Sequence, residues 1–166
     1  MNIQSERLQI THLQPGMAKR LHELSLDENN RRFVPDEVFE TEKAAAEVIA
    51  ELTECIEQQE GPQVYAVLLK DGTLIGHVQA VPLKEGWEIG YHIGQPYTGC
   101  GYATEAVQSF LPEIMNSLHI TEMLGVCLSA NTASARVMEK CGFVKTFEGM
   151  DDYQGTPSPV SKYIYK

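Results

Sequence analysis

Gln95-Pro96-Tyr97-Thr98-Gly99-Cys100-Gly101-Tyr102-Ala103-Thr104-Glu105-Ala106 is the stretch whose reading decides the fold. Two glycines bracket Cys100, and Val107, Phe110, Leu111, Ile114, Met115 and Leu118 then recur at three- and four-residue spacing. That spacing predicts a helix over 102–118 with one buried face. Glycines at its entry let the backbone turn its N–H groups outward with no Cβ in the way. The first turn of a helix has unpaired donors and carries about half a positive charge. Such a loop is an anion cradle, suited to a phosphate or pyrophosphate.

No Lys-Ser or Lys-Thr follows the glycines at the spacing a P-loop requires. A dinucleotide fingerprint fits poorly, because Thr104 stands where the third glycine belongs. Gly94 to Thr98 also separate the glycines from the strand before them. The stretch instead resembles the pyrophosphate loop of the GNAT N-acetyltransferases, which bind acetyl-CoA. That loop reads Gln/Arg-x-x-Gly-x-Gly/Ala, and Thr98, Gly101 and Ala103 occupy its positions here, with Thr98 departing from the usual Gln or Arg. The string Gly-Tyr-Ala-Thr-Glu-Ala is similar to one branch, the RimJ/RimL-like ribosomal-protein Ser/Ala N-acetyltransferases.

A second stretch agrees. Asn131-Thr132-Ala133-Ser134-Ala135-Arg136-Val137-Met138-Glu139-Lys140-Cys141-Gly142-Phe143 resembles the family's other signature, in which Asn is followed three residues later by Ser or Ala and the helix ends Glu-Lys-x-Gly-Phe. It lies downstream of the glycine loop, as in the family. The resemblance implies one N-acetyltransferase domain over 1–166, mixed α/β, with a mostly antiparallel twisted sheet of about seven strands and helices on both faces.

Composition sets bounds around this reading. A chain of 166 residues is the size of one domain. Apolar residues make up 43% and charged residues 22%, which is ordinary for a soluble globular protein. Met1 to Arg7 lacks the apolar segment of a signal peptide, and no apolar run reaches membrane-spanning length. Cys55, Cys100, Cys127 and Cys141 show neither CxxC pairing nor metal-ligand spacing, so no metal and a reducing cytoplasm are expected. A formal net charge of −10 argues against nucleic acid as partner and says nothing about which amine is acetylated. A monomer or a homodimer is expected.

The rest of the chain reads in order. Residues 6–13 alternate as a strand, and Met17, Leu21 and Leu24 give a short helix. Residues 27–40 read as a polar loop holding Arg31-Arg32, a solvated pair or a contact for a CoA phosphate or an acidic acceptor. In the resembled family this region borders the acceptor site. Thr41 N-caps a helix running to about Gln59. Val64–Leu69 and Leu74–Val81 form a hairpin about Asp71-Gly72. The strand Trp87–Ile93 puts Trp87, Ile89, Tyr91 and Ile93 on one face and Glu88, Gly90 and His92 on the other. Pro112 should kink or split the 102–118 helix. A strand at Met123–Leu128 and a helix from Asn131 to about Lys140 follow, then a strand pair Val144–Glu148 and Val160–Tyr165 joined by a proline-containing loop.

The chemistry implied by the resemblance is direct attack of a neutral amine on the acetyl thioester in a ternary complex. An α-amine titrates near about 7.7–8.0 and a lysine near about 10.4, so an α-amine needs roughly 3–4 kcal/mol less to become neutral. A carboxylate acting through water then suffices as base. Glu88 fits by position, with His92 as its rival. Ser134 is the candidate partner of the leaving thiolate; other branches use a Tyr four residues later, where this chain has Met138. Asn131 can cap its helix by accepting from Ser134 N–H while its NH₂ meets a pantetheine carbonyl. Cofactor contacts are expected from His92, Ile93, Thr98, Gly99, Cys100, Gly101, Tyr102, Ala103, Thr104 and Asn131. A strand N–H between Glu88 and Ile93 would supply the oxyanion donor. Glu105 is assigned only to the helix dipole. Cys100 reads as an inert small residue or a redox-sensitive thiol. The acceptor is a protein N-terminal α-amine or a small-molecule amine such as a polyamine or antibiotic. A non-catalytic acyl-CoA-binding regulatory module and a dinucleotide oxidoreductase are the other functions weighed.

Overall fold

A computed structural model describes residues 1–58 and 60–166. One mixed sheet of eight strands carries the fold: β1 (Ile3–Gln4), β2 (Leu8–His12), β3 (Gln63–Leu69), β4 (Leu74–Pro82), β5 (Trp87–Ile93), β6 (Met123–Leu128), β7 (Val144–Tyr153) and β8 (Thr156–Tyr165). Their order is β1-β2-β3-β4-β5-β6-β8-β7. Every neighbouring pair is antiparallel except β5 with β6. The helices are α1 (Ala18–Ser25), α2 (Glu28–Phe33), α3 (Glu42–Gln58), α4 (Tyr102–Leu118) and α5 (Thr132–Lys140).

The central strand β3 is buried on both faces, which is why it reads as a continuous apolar run. Tyr65 and Val67 face α4, packing with Phe110, Leu111 and Ile114. Val64, Ala66 and Leu68 face α1 and α3, packing with Leu21, Leu24, Ala45 and Ile49. Helices therefore cover both faces, as expected.

Four expectations change. The sheet has eight strands rather than seven, because Ile3–Gln4 adds a short edge against β2. Residues 27–40 are not simply loop: Asp27 caps α2 by accepting from Asn30 N–H at 2.8 Å, and a 3₁₀ turn follows at Pro35–Glu37. Pro112 leaves α4 continuous from Tyr102 to Leu118. Pro112 and Gln108 both lie on its exposed face, where water can satisfy the carbonyl that lost its N–H partner. Finally, the strand pair of 144–165 is one long hairpin turning at Gln154-Gly155. Pro157 and Pro159 sit in β8 beyond the last residue that pairs with β6, where Pro159 O accepts from Ser129 N–H at 2.9 Å and no ladder N–H is needed from either proline. The N-cap on α3 is as expected, Thr41 Oγ1 accepting from Ala44 N–H at 3.0 Å. The expected helix end at Gln59 lies outside the described residues.

Candidate active site

Strands β5 and β6 run parallel and pair at Glu88 and Leu124. Past that point they diverge, and a cleft of about 830 Å³ lies between them, lined by Glu88 to Ile93, Val126 and Cys127. One end reaches the glycine loop and α5. The other end is walled by α2, the 35–37 turn and the tip of the β7–β8 hairpin, through Asn30, Phe33, Asp36, Asp152 and Tyr153. Two hydrogen bonds close that wall: Tyr153 O–H donates to Phe33 O at 2.8 Å, and Gln154 Nε2 donates to Asp36 Oδ1 at 2.6 Å.

At the first end, Gly99 and Gly101 have φ of +77° and +82°. An added Cβ at Gly99 would meet nothing within 4 Å, so conformation rather than crowding requires glycine there. Glu105 N–H bonds Gly101 O at 3.1 Å, which leaves Tyr102, Ala103 and Thr104 in the open first turn of α4. Arg7 braces the loop from β2. Its Nη1 donates to Cys100 O at 2.9 Å, its Nε to Glu105 Oε2 at 2.6 Å, and its backbone N–H to Glu105 Oε1 at 2.7 Å. Its guanidinium lies 4.6 Å from the centre of the Tyr102 ring. Burial pushes the Glu105 carboxyl up, but the hydrogen bonds from Arg7 and Ser5 outweigh it and hold the group below its usual range. Glu105 thus does more than complement the helix dipole. Arg7 carried no local signal, since its partner lies 98 residues away.

Glu88 lines the middle of the cleft. Burial pushes its carboxyl up to about 7; Lys162 nearby opposes the shift and Asp36 adds to it. A carboxyl raised toward neutrality is a stronger base than an ordinary carboxylate and still ionises in the working range, which suits it to general-base work. His92, two turns of the pleat away, donates from Nε2 to Asp27 Oδ2 at 3.3 Å and lies 5.7 Å from the His77 ring. Burial, helped by His77, pushes His92 below its ordinary value. The His92 imidazole is thus tethered to the start of α2, and of the two groups the Glu88 carboxyl is the freer.

On the opposite wall, Asn131 Oδ1 accepts from Ser134 N–H at 3.1 Å, the expected cap, with its NH₂ left over. Ser134 Oγ lies 2.9 Å from the hydroxyl of Tyr91, which also lies 2.9 Å from Ser134 O. Alternation places Tyr91 with the core face of β5, and its ring does pack there; the hydroxyl, however, reaches the cleft. Burial raises Tyr91 well above its ordinary pKa. Met138 is buried against Gly125, where an added Cβ would meet Met138 Sδ at 2.5 Å, so it is a packing residue.

Of the other expected residues, Ile93, Thr98, Gly99, Gly101, Tyr102, Ala103 and Thr104 line the cleft, whereas Cys100, Arg31 and Arg32 do not. Ile93 is buried at the end of β5, and Thr98 Oγ1 donates to Gln95 O at 2.9 Å. Cys100 is exposed. Arg31 is paired with Glu40 at 2.5 Å, and Arg32 stacks over Phe33. Arg136 and Lys140 of α5, which sequence reasoning did not single out, line the glycine-loop end and give it positive charge. Among the described residues, no group of three or more His, Cys, Asp or Glu is placed to hold a metal ion, and no helix is long and apolar enough to cross a membrane.

Comparison with known proteins bears on the family and the fold. An N-acetyltransferase of Bacillus subtilis, YnaD, itself uncharacterised, is 29% identical over 145 residues, covering 86% of this chain and 82% of its own. A GNAT-family acetyltransferase from Bacillus anthracis superimposes with a TM-score of 0.81 at 25% identity, over 99% of this chain and 98% of its own. RimL, a ribosomal α-N-protein acetyltransferase solved with coenzyme A, has the same fold, with a TM-score of 0.83 at 17% identity over 99% and 97% of the two chains. The sequence profile of the acetyltransferase (GNAT) domain matches residues 7–144. The chain belongs to the GNAT acetyltransferase family, and it is an acyltransferase.

Proposed function

We propose that the protein transfers acetyl from acetyl-CoA to a primary amine, with a peptide or protein N-terminal α-amine favoured. The observation that carries this is the single cleft, which joins a glycine loop suited to pyrophosphate to a carboxyl poised near neutrality. The amine enters from the α2 and hairpin-tip side, and the thioester from the α4–α5 side. N–H groups from Gly99 to Thr104 hold the pyrophosphate, with Arg136 and Lys140 adding charge. The Asn131 NH₂ meets the pantetheine arm. Glu88 takes the proton of the ammonium through water, and the neutral amine attacks the carbonyl carbon. A backbone N–H of β5 steadies the oxyanion, and the Ser134–Tyr91 pair steadies the departing thiolate. A RimJ/RimL-like specificity is supported by the α-N-protein acetyltransferase named among the structural neighbours.

Calorimetric titration with acetyl-CoA, followed by an acceptor screen reading free thiol, tests the reading. Binding with amine-dependent thiol release is expected. Binding with no release on any peptide or small amine would instead favour the regulatory module.

A further inference from the structure

One side chain at the acceptor end of the cleft is only half used. Gln79 of β4 is half-buried and lines the cleft with Glu88 and Gly90. It pairs with Gly90 across the β4–β5 ladder, as Val81 pairs with Glu88. Gln79 and Glu88 therefore share one face of the sheet as diagonal neighbours, about 7–8 Å apart. The Gln79 side chain lies flat over Gly90: an added Cβ there would meet Gln79 Nε2 at 2.6 Å, Cγ at 2.8 Å and Cδ at 3.1 Å. Glycine at 90 thus lets an amide from β4 reach across β5, onto the floor of the cleft.

Glu37 sets the sense of that amide. Gln79 Nε2 donates to Glu37 Oε1 at 2.7 Å, and His77 Nε2 donates to Glu37 Oε2 at 3.1 Å. A carboxylate has no hydrogen to give, so the NH₂ end of Gln79 must face it and the oxygen end must face away. Among the described residues nothing donates to Gln79 Oε1, yet it is not one of the buried polar atoms without a partner, which are Asn30 Nδ2, His77 Nδ1 and the Tyr163 hydroxyl. The oxygen is therefore open to the cleft. Asp36, Glu88 and Asp152 at the same end are acceptors when ionised, and Lys162 is paired with Asp151. The protein offers this oxygen no donor, and a ligand that brings N–H groups does.

We propose that Gln79 Oε1 accepts a hydrogen bond from the acceptor amine and so turns its lone pair toward the thioester, with Glu37 holding the amide in that sense. The assignment rests on the amine-acetyltransferase reading above. An ammonium held this way keeps a second N–H for the water that leads to Glu88. Once that proton has left, the neutral amine still has an N–H for Gln79, and its lone pair is free. A neutral amide suits this task better than a carboxylate, which would favour the charged amine and oppose its deprotonation.

Glu37→Gln tests the orientation without touching Gln79. His77 Nδ1 is buried without a partner, so its hydrogen stays on Nε2 and takes the oxygen of the new amide. The new NH₂ then faces Gln79, which must turn its own oxygen toward it and away from the amine. KM for a short Ser-initiated peptide, or for 1,4-diaminobutane if the peptide is not acetylated, should rise about tenfold, the size of one hydrogen bond. KM for acetyl-CoA should not change. A link that only fastened the wall would survive this substitution, because the two amides still bond each other, and KM would stay as it was. Gln79→Met keeps the length of the side chain and removes both polar ends; it should show the same rise, and Glu37→Gln should add nothing to it. The exchange of Glu37→Gln with Gln79→Glu returns an oxygen to the cleft, and KM should recover most of the loss. An unchanged KM in either single variant, or an exchange variant no better than Glu37→Gln, overturns the assignment of Gln79. If the wild type acetylates neither amine, the amine-acetyltransferase reading itself fails.

Discussion

The hydroxyls of Tyr91 and Ser134 lie 2.9 Å apart across the floor of the cleft, one on the strand that enters the glycine loop and one on the helix capped by Asn131. Tyr91 is held above its ordinary pKa by burial, so it stays protonated throughout the working range. A thiol titrates at ~8.5, so in the proposed reaction the tyrosine is the weaker acid and would steady the departing thiolate by hydrogen bonding rather than by giving up its proton. On the same proposal Ser134 would relay that bond with its own hydroxyl turned toward sulfur.

Tyr91→Phe and Ser134→Ala should therefore each lower kcat by about 10- to 100-fold with little change in Kd for CoA. Because the two act through one hydrogen-bonded pair, the double variant should lose less than the product of the single losses. Steady-state kinetics with calorimetric CoA binding reads this directly. Strictly multiplicative losses would separate the two residues.

On the proposed mechanism Glu88 governs the acid limb. With its carboxyl at about 7, kcat/KM should fall tenfold per pH unit below about pH 7, and Glu88→Gln should flatten that limb while lowering activity. The same shift has a stability consequence. A folded pKa above the ordinary carboxyl value means that the native state holds the proton more tightly, so the contribution is full below about pH 4.5 and is lost as pH rises through about 7. Glu88→Gln should then raise the melting temperature at pH 8 and change it little at pH 5. A catalytic carboxylate that stabilised the fold would show the reverse.

Arg7 ties the first turn of α4 to β2, and its charge offsets Glu105 beside the pyrophosphate loop. Arg7→Gln leaves Glu105 as an unbalanced anion there, so KM for acetyl-CoA should rise about tenfold with kcat nearly unchanged. Glu105→Gln in the same chain should recover part of the loss, because it removes the unbalanced charge. Loss of kcat without a change in KM would place Arg7 outside cofactor binding.

Much of this was legible from the chain because the signals are local. The strand Trp87–Ile93 and the helices at 102–118 and 132–140 follow from alternation, periodicity and the Asn131 cap, and all of them hold. What escaped depends on distance or on competing local rules. Arg7 meets Glu105 only when β2 and α4 are packed together. Tyr91 looks like a core residue because its ring is one, and only the neighbouring α5 shows what its hydroxyl meets. The short α2 is too short for periodicity, although Asp27-Glu28 at its start and Arg31-Arg32 at its end are ordinary helix-end chemistry. Pro157 and Pro159 looked like loop residues because nothing local shows that β8 runs on past its pairing with β6 there.

Glu37 fastens the acceptor side to the sheet. Its carboxylate accepts from His77 Nε2 at 3.1 Å and from Gln79 Nε2 at 2.7 Å, joining the 35–37 turn to β4. Burial pushes its carboxyl up, but His77 outweighs that, with His92 and Gln79 helping, and the net direction is down. The contribution to stability is therefore present above the ordinary carboxyl pKa and is lost as pH falls through the lower folded value. Glu37→Ala strands the buried donor of His77, at about 1–3 kcal/mol, and frees the half-buried Gln79 amide into the cleft, so the melting temperature at pH 7 should drop by several degrees. Since Asp36 and Phe33 ride on the same segment, KM for the acceptor should rise while Kd for CoA stays as it was. The stability gap between wild type and Glu37→Ala should narrow as pH falls below the ordinary carboxyl pKa. A gap that stays constant with pH would mean that the carboxylate's charge contributes nothing to the fastening.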